Sequence, residues 1–369
     1  MLTPAAVSTL RRAVRCALAA ENHAADAWRW RDQVPPADFV EAVAAHRVAA
    51  VLEPVLERCG YPAAVAEPVR RMRSHARLAA MGHIHATRAV DDQLAPLDHL
   101  FIKGAALAVR TTGDATARGA GDIDVVVRPE DLGRATELLL AAGWSVRDGY
   151  TVNQRSWAWR HQLRTTYELG LEGTLGRLDL HWRLDPTYGA LPSFDEVWSR
   201  RVLVDIGPVS VATLAGPDTF AHALRHAAKD SWSSLRSLVD IARLARVPAD
   251  WPTHPDRLDR ATLSVVNATI GLPPNAPRFR STASAIPTAL HTQVHSAEEI
   301  RFPGDNAQRF ARYMLASGHG PRDLVTTASM VGLPPVLTAP LDEEHVLPAM
   351  AAAAGRRVTQ ALTNLRGHR

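Results

Sequence analysis

The sequence predicts an α+β protein in which a small mixed-sheet core is flanked by N-terminal and C-terminal helical regions. Three observations carry this reading. Apolar residues recur at three- and four-residue steps through residues 1–95, notably from Phe39 to Leu56 and from Val69 to Met81, which is the helical period. The texture changes at His99, where short apolar and β-branched runs begin. From Pro217 onward the helical period returns.

Taken in order, Pro35-Pro36 and then Gly60 to Pro62 divide the first region into several helices, since proline and glycine end such elements. His99-Leu-Phe-Ile reads as a short buried strand, followed by Lys103-Gly104 and a helix over Ala105–Thr111. A flexible segment with Gly113, Gly119 and Gly121 leads into Asp122-Ile-Asp-Val-Val-Val-Arg128, a β-branched run that predicts a strand. Pro129–Ala142 is an amphipathic helix ended by Gly143, and Trp144–Arg147, His161–Leu169 and Arg177–Leu184 are further strand candidates. Two helices follow, from Pro217 to about Lys229 and from about Ser233 to Arg246, with proline suited to a first turn. Beyond them the pattern is weaker: a helix over Arg260–Ile270, a proline-rich stretch from Pro273 to Pro287, a helix near Ala307–Ala316, and a basic C-terminal helix. The expected regions are 1–95, 96–212 and 213–369.

Composition narrows the class. The 46% hydrophobic content is ordinary and no apolar run approaches the length of a membrane span. Arg11, Arg12 and Arg15 interrupt any signal-peptide core, so a cytoplasmic protein is expected. Cys16 and Cys59 are the only cysteines, which leaves no disulfide framework and predicts buried, inert thiols. The 42 basic and 38 acidic residues nearly balance, giving no clear nucleic-acid signature. Only two of the basic residues are lysines, Lys103 and Lys229. A compact ammonium differs from a planar guanidinium, so these two mark positions where a point charge is wanted.

On a strand, alternate side chains share a face, so Asp122 and Asp124 converge at the start of theirs while Ile123, Val125 and Val127 face the other way. Paired carboxylates repel unless a cation neutralises them, and oxygen ligands suit magnesium. Lys103-Gly104 opens a helix, offering backbone N–H groups and positive charge to a phosphate. Arg118 lies in the loop before the pair, and Arg177-Leu-Asp-Leu-His-Trp182 places Asp179 and His181 on one strand face. A third carboxylate completes a set able to bind two metal ions.

These residues resemble the bacterial nucleotidyltransferases of the DNA polymerase β-like superfamily. The likeness runs through Ile102-Lys103-Gly104, then Arg118-Gly-Ala-Gly-Asp122-Ile-Asp124-Val-Val-Val127, then Asp179-Leu-His181-Trp182, and on to His226-Ala-Ala-Lys229-Asp-Ser-Trp232 and Asp240-Ile-Ala242. Better-known members carry Gly-Ser where this chain has Gly104-Ala105, so phosphate contact falls to the backbone and Lys103. The resemblance implies metal ligation by Asp122, Asp124 and Asp179, and nucleotide contacts by Lys103, Gly104, Arg118, His181, His226 and Lys229. His222, His226 and Lys229 form one helical stripe, while Trp182 and Trp232 read as packing residues.

The expected activity is magnesium-dependent transfer of an NMP group, with ATP as the default donor, to an acceptor that the sequence leaves open as a small molecule, a peptide or protein, or a tRNA. Two ions and release of pyrophosphate are expected. The alternatives are a catalytically inactive nucleotide- or RNA-binding protein on the same fold, and a sugar-nucleotide glycosyltransferase using Asp122-x-Asp124. The latter needs a strand-and-helix half before its motif, whereas residues 1–95 read as helical.

Overall fold

The structure is a computed structural model that describes residues 2–21, 28–30, 34–119, 121–252, 255–274, 276, 313–317, 320–332, 351 and 355. Two compact units interleave along the chain: residues 1–84, 103–121 and 200–313 form the first, and residues 85–102, 122–199 and 314–369 the second. The sequence reading divides the chain into three consecutive regions instead.

Helix α1 (Pro4–Glu21) buries Leu10, Ala13, Val14, Ala17 and Leu18 at the predicted spacing. α2 (Pro36–His46) starts on a first-turn proline and stops at Arg47, whose φ of 54° lies in the left-handed region. α3 (Ala49–Leu52) and the long α4 (Ala63–Leu94) follow, with the break at Gly60–Pro62 falling between them. The first unit takes α4 up to Ile84 and adds α5 (Gly104–Thr112).

The second unit holds a five-stranded mixed sheet in the order β1-β2-β5-β4-β3. β1 is His99–Phe101 and β2 Ile123–Val127. Then come α6 (Leu132–Ala141), β3 (Ser145–Val146), α7 (Trp157–Thr165), β4 (Glu168–Gly173), β5 (Gly176–His181) and α8 (Phe194–Ser199). β2 is buried along its whole length and runs antiparallel to β1 but parallel to β5. A parallel pair needs a long crossover, and everything between β2 and β5 supplies it. The β4–β5 hairpin then lays β4 beside β5 in antiparallel register.

The strand expected over His161–Leu169 is a correction. Its first half is α7, because Ser156 caps the helix by accepting from the Trp159 N–H at 3.0 Å. The buried Gln162 also exchanges hydrogen bonds with both backbone groups of Thr151. The cap outweighs the β propensity of Thr165-Thr166-Tyr167, and the strand begins only at Glu168. The hairpin of β6 (Val202–Asp205) and β7 (Ser210–Thr213), in the first unit, was not anticipated.

α9 (Gly216–Lys229), α10 (Leu235–Leu244) and α11 (Arg257–Thr269) pack on one another in the first unit, with α10 also against α5. α12 (Pro321–Gly332) packs on α7 in the second. The proline-rich stretch and the basic C-terminal helix lie outside the described residues except for 273, 274 and 276, as does the expected 307–316 helix before residue 313; residues 313–317 are helical. Among the described residues no helix is long and apolar enough to cross a membrane. Both cysteines are buried, with their Sγ atoms 3.6 Å apart.

His46 supplies a test of the first unit. Burial pushes its imidazole down to about 4, and Nδ1 accepts the Leu235 N–H at 3.4 Å while Nε2 has no partner among the described residues. The fold therefore favours the neutral ring. The resulting stability is complete above the unfolded value of 6.5 and is lost as pH falls from there toward 4. Urea unfolding should show the parent losing about 3 kcal/mol more than His46→Asn between pH 7 and pH 4. Parallel pH profiles for the two proteins would contradict this account.

Candidate active site

In the second unit, parallel register sets Asp124 of β2 directly beside Asp179 of β5. Partnered residues in a parallel pair point to the same face, so the two carboxylates are neighbours by construction. Asp122 precedes β2 by one residue and is exposed, whereas Asp124 is buried. Leu178 and Leu180 occupy the opposite, fully buried face of β5 and anchor it.

His181 lies two residues beyond Asp179 on the same face. Its Nε2 is 3.3 Å from Asp124 Oδ1, and its Nδ1, buried without a hydrogen-bond partner among the described residues, faces Glu168 Oε2 at 3.7 Å. Glu168 and His181 are partners across the β4–β5 ladder. Asp179 Oδ1 accepts from Arg147 Nη1 at 3.0 Å. Burial and then the Glu168 carboxylate raise Asp179 to about 6; His181 opposes them, while Asp124 and Asp122 push the same way. The face thus carries more negative charge than Arg147 and His181 offset.

Sequence reasoning missed Glu168, Arg147 and Gly170. Gly170 sits opposite Asp179, and a Cβ there would stand 3.0 Å from Arg147 Nη1 and 2.9 Å from the Tyr150 ring. The bare backbone of β4 lets the Arg147 side chain pass across the strand to Asp179. Correct placement of β4 would have exposed the alternation Glu168-x-Gly170 opposite His181 and Asp179.

The remaining expected residues belong to the first unit. Lys103 precedes α5 in extended conformation, and Gly104 opens the helix at φ +60°. The positive φ favours glycine, and a Cβ on Gly104 would lie 2.5 Å from His83 Nε2, so that ring would have to move. On α9, His222 is buried and His226 and Lys229 are half-buried. The two imidazoles are parallel with centroids 6.2 Å apart, and His226 Nε2 stands 3.5 Å from Asp230 Oδ2. After Lys229 the chain turns through Ser231 and Trp232, both at φ 54°, a conformation uncommon for residues with side chains. Trp232 is buried and donates from Nε1 to Thr262 Oγ1 at 3.1 Å, a packing role. Trp182 is likewise buried.

Arg118 donates from Nε to Asp240 Oδ2 at 2.7 Å, and both side chains are almost wholly buried. Two stretches of the sequence signature, Arg118 and Asp240-Ile-Ala242, are therefore joined in an ion pair that fixes the loop before Asp122. Asp240→Ala leaves a buried guanidinium uncompensated and should cost about 3 to 5 kcal/mol in urea unfolding. The double replacement Arg118→Met with Asp240→Leu should recover most of that loss. A single-variant cost below about 1 kcal/mol would show that the pair does not hold the loop.

The carboxylate face, the order of the motifs and the mixed sheet all fall within residues 32–268, the stretch matched by the family described as Uncharacterised nucleotidyltransferase. The chain belongs to this family. The match spans more than half the chain and supports a transferase of the nucleotidyltransferase class. Neither the curated proteins nor the solved structures give a significant match.

The donor set suits a hard divalent cation. Asp122, Asp124, Asp179 and Glu168 offer oxygen, and burial first, then the neighbouring carboxylates, keep the Asp179 carboxyl high. Among the described residues no group of three or more His, Cys, Asp or Glu side chains forms a ready cage. Magnesium is ordinarily held by one or two carboxylates together with waters and substrate phosphates, so the donors fit it without a cage.

Proposed function

We propose that the protein transfers a nucleoside monophosphate, AMP by default, from a nucleoside triphosphate to an acceptor hydroxyl with release of pyrophosphate, on a polymerase β-like core. The observation that carries this reading is the register of β2 and β5, which sets Asp124 abreast of Asp179 on a face with excess negative charge. Family membership supports the same class.

Asp122, Asp124 and Asp179 would hold magnesium, which when bound neutralises phosphate charge and acidifies the acceptor hydroxyl. His181 keeps the Asp124 carboxylate oriented through its contact at Nε2. Arg147 fixes one oxygen of Asp179, leaving the other to receive the acceptor proton. The acceptor oxygen forms a bond to the α-phosphorus as the bond to the bridging oxygen of pyrophosphate breaks, and the electron pair leaves with pyrophosphate. Lys103, Gly104, Arg118, His226 and Lys229 enter this reading as nucleotide-binding residues through the sequence resemblance. For Arg118, the Asp240 pair makes ordering of its loop the more immediate role.

Equilibrium binding tests the phosphate assignments. A charge-assisted contact to a terminal phosphate contributes roughly 1.5 to 3 kcal/mol, or about ten to over one hundred fold in affinity. Lys229→Met should accordingly weaken ATP binding by that factor and AMP binding little, with Lys229→Arg recovering only part. Equal affinities in parent and Met variant would remove Lys229 from the reading.

A further inference from the structure

A second site lies in the first unit, where the turn between α2 and α3, the middle of α4, the loop before Asp122 and the first turn of α10 enclose a cavity of about 320 Å³. That is the small end of the range for ligand pockets. Its polar lining is basic throughout, from Arg47, His75, Arg118 and Arg236. Its apolar walls include Val43, Ala50, Met72, Ala76 and Ala79, and no aspartate or glutamate is among the lining residues. Of the residues assigned to the nucleotide by resemblance, only Arg118 takes part.

The four basic side chains differ in what they can offer. Arg118 is almost wholly buried and donates its Nε to Asp240, so it supplies wall rather than free charge. Arg47 and His75 are exposed, and neither side chain has a hydrogen-bond or ion-pair partner among the described residues. Arg236 is half-buried. Guanidinium groups at the mouth of an apolar cavity that holds no carboxylate set up a positive potential there, and the low-dielectric walls focus it.

The cavity also borders the loop. Arg73 Nη1 holds the Thr116 carbonyl at 3.0 Å, and the Asp240 pair holds Arg118. Gly119, at φ +78°, rests on α4, where an added Cβ would meet the Ala76 methyl at 3.5 Å. Because Arg118 and Gly119 both line the cavity, a ligand inside it lies against the stretch that leads to Asp122.

We propose that this cavity binds a small organic oxyanion, a carboxylate or a phosphate ester, and that the bound anion steadies the loop at Arg118 and Gly119. The head pairs with Arg47 and Arg236 beside His75, and the apolar body lies on Met72, Ala76 and Ala79. Neither part depends on the proposed transfer reaction.

Calorimetry on the full chain without nucleotide tests the binding, using hexanoate, hexyl phosphate, hexanol and inorganic phosphate as probes. At least one hexyl anion should bind about ten times more tightly than both hexanol, which lacks the charge, and inorganic phosphate, which lacks the apolar body. The two anions compared show whether carboxylate or phosphate is preferred. Arg47→Gln, an exposed change, should weaken the better anion about fivefold and leave hexanol unchanged. Arg70→Gln serves as the control: Arg70 pairs with Glu57 on the side of α4 away from Met72, Ala76 and Ala79, and its loss should alter affinity less than about twofold. Equal binding of hexanol and the anions, unchanged affinity in Arg47→Gln, an equal loss in Arg70→Gln, or no binding of any probe would overturn the proposal. With the better anion bound, hydrogen exchange of residues 114–119 should slow about threefold or more; binding with unchanged exchange would overturn the effect on the loop.

Discussion

Asp124→Asn is expected to leave the protein folded and to reduce nucleotidyl transfer by roughly a hundred- to a thousandfold or more, the scale of losing one preorganised electrostatic contact to the reacting phosphate. The choice of asparagine matters. Asp124 is buried and meets His181 Nε2 at 3.3 Å, so alanine would orphan a buried ring nitrogen and cost about 1 to 3 kcal/mol. Asparagine keeps an oxygen in the same place and removes only the charge. The unfolding midpoint and circular dichroism of the variant should therefore match those of the parent while turnover collapses. Full turnover at matched magnesium concentration would remove the paired-carboxylate reading.

The second large effect is expected at Asp179. Its carboxylate accepts from Arg147 and faces Glu168, Asp124 and His181, and the proposed reaction has it position the acceptor and take its proton. Asp179→Asn preserves the hydrogen bond from Arg147 and should lower turnover by about 10² to 10⁴, the range for loss of a general base. Triphosphate affinity should change less than about threefold. The split between turnover and binding is the informative quantity. Loss of ATP affinity with unchanged turnover would transfer Asp179 from the acceptor side of the reaction to the donor side.

Much of the carboxylate face was legible in the sequence because it depends on strand alternation and on motifs of fixed spacing. The β-branched run after Asp122 became β2, and Arg177–His181 became β5. Their parallel register could not be read, since it is set by the crossover and the packing of both faces. Glu168 and Arg147 were hidden for a related reason. Thr165-Thr166-Tyr167 has the composition of a strand, and the competing signal was a single serine hydroxyl capping α7. The β6–β7 hairpin was overlooked although Val202–Asp205 and Ser210–Thr213 each carry β-branched residues. Arg118 shows a different limit. A cation in a glycine-rich loop before two aspartates reads as a phosphate ligand, yet its partner lies 122 residues away on α10. No local pattern encodes that pairing.

Movement of a nucleoside monophosphate is the proposed chemistry. Parallel incubations with magnesium, an acceptor-containing cell extract and either α-labelled or γ-labelled ATP test it directly. A new species should gain label from α-labelled ATP, γ label should appear only in pyrophosphate, and the Asp124→Asn protein should yield neither. Transfer of the γ label to the acceptor, or α labelling that persists undiminished in Asp124→Asn, would contradict it.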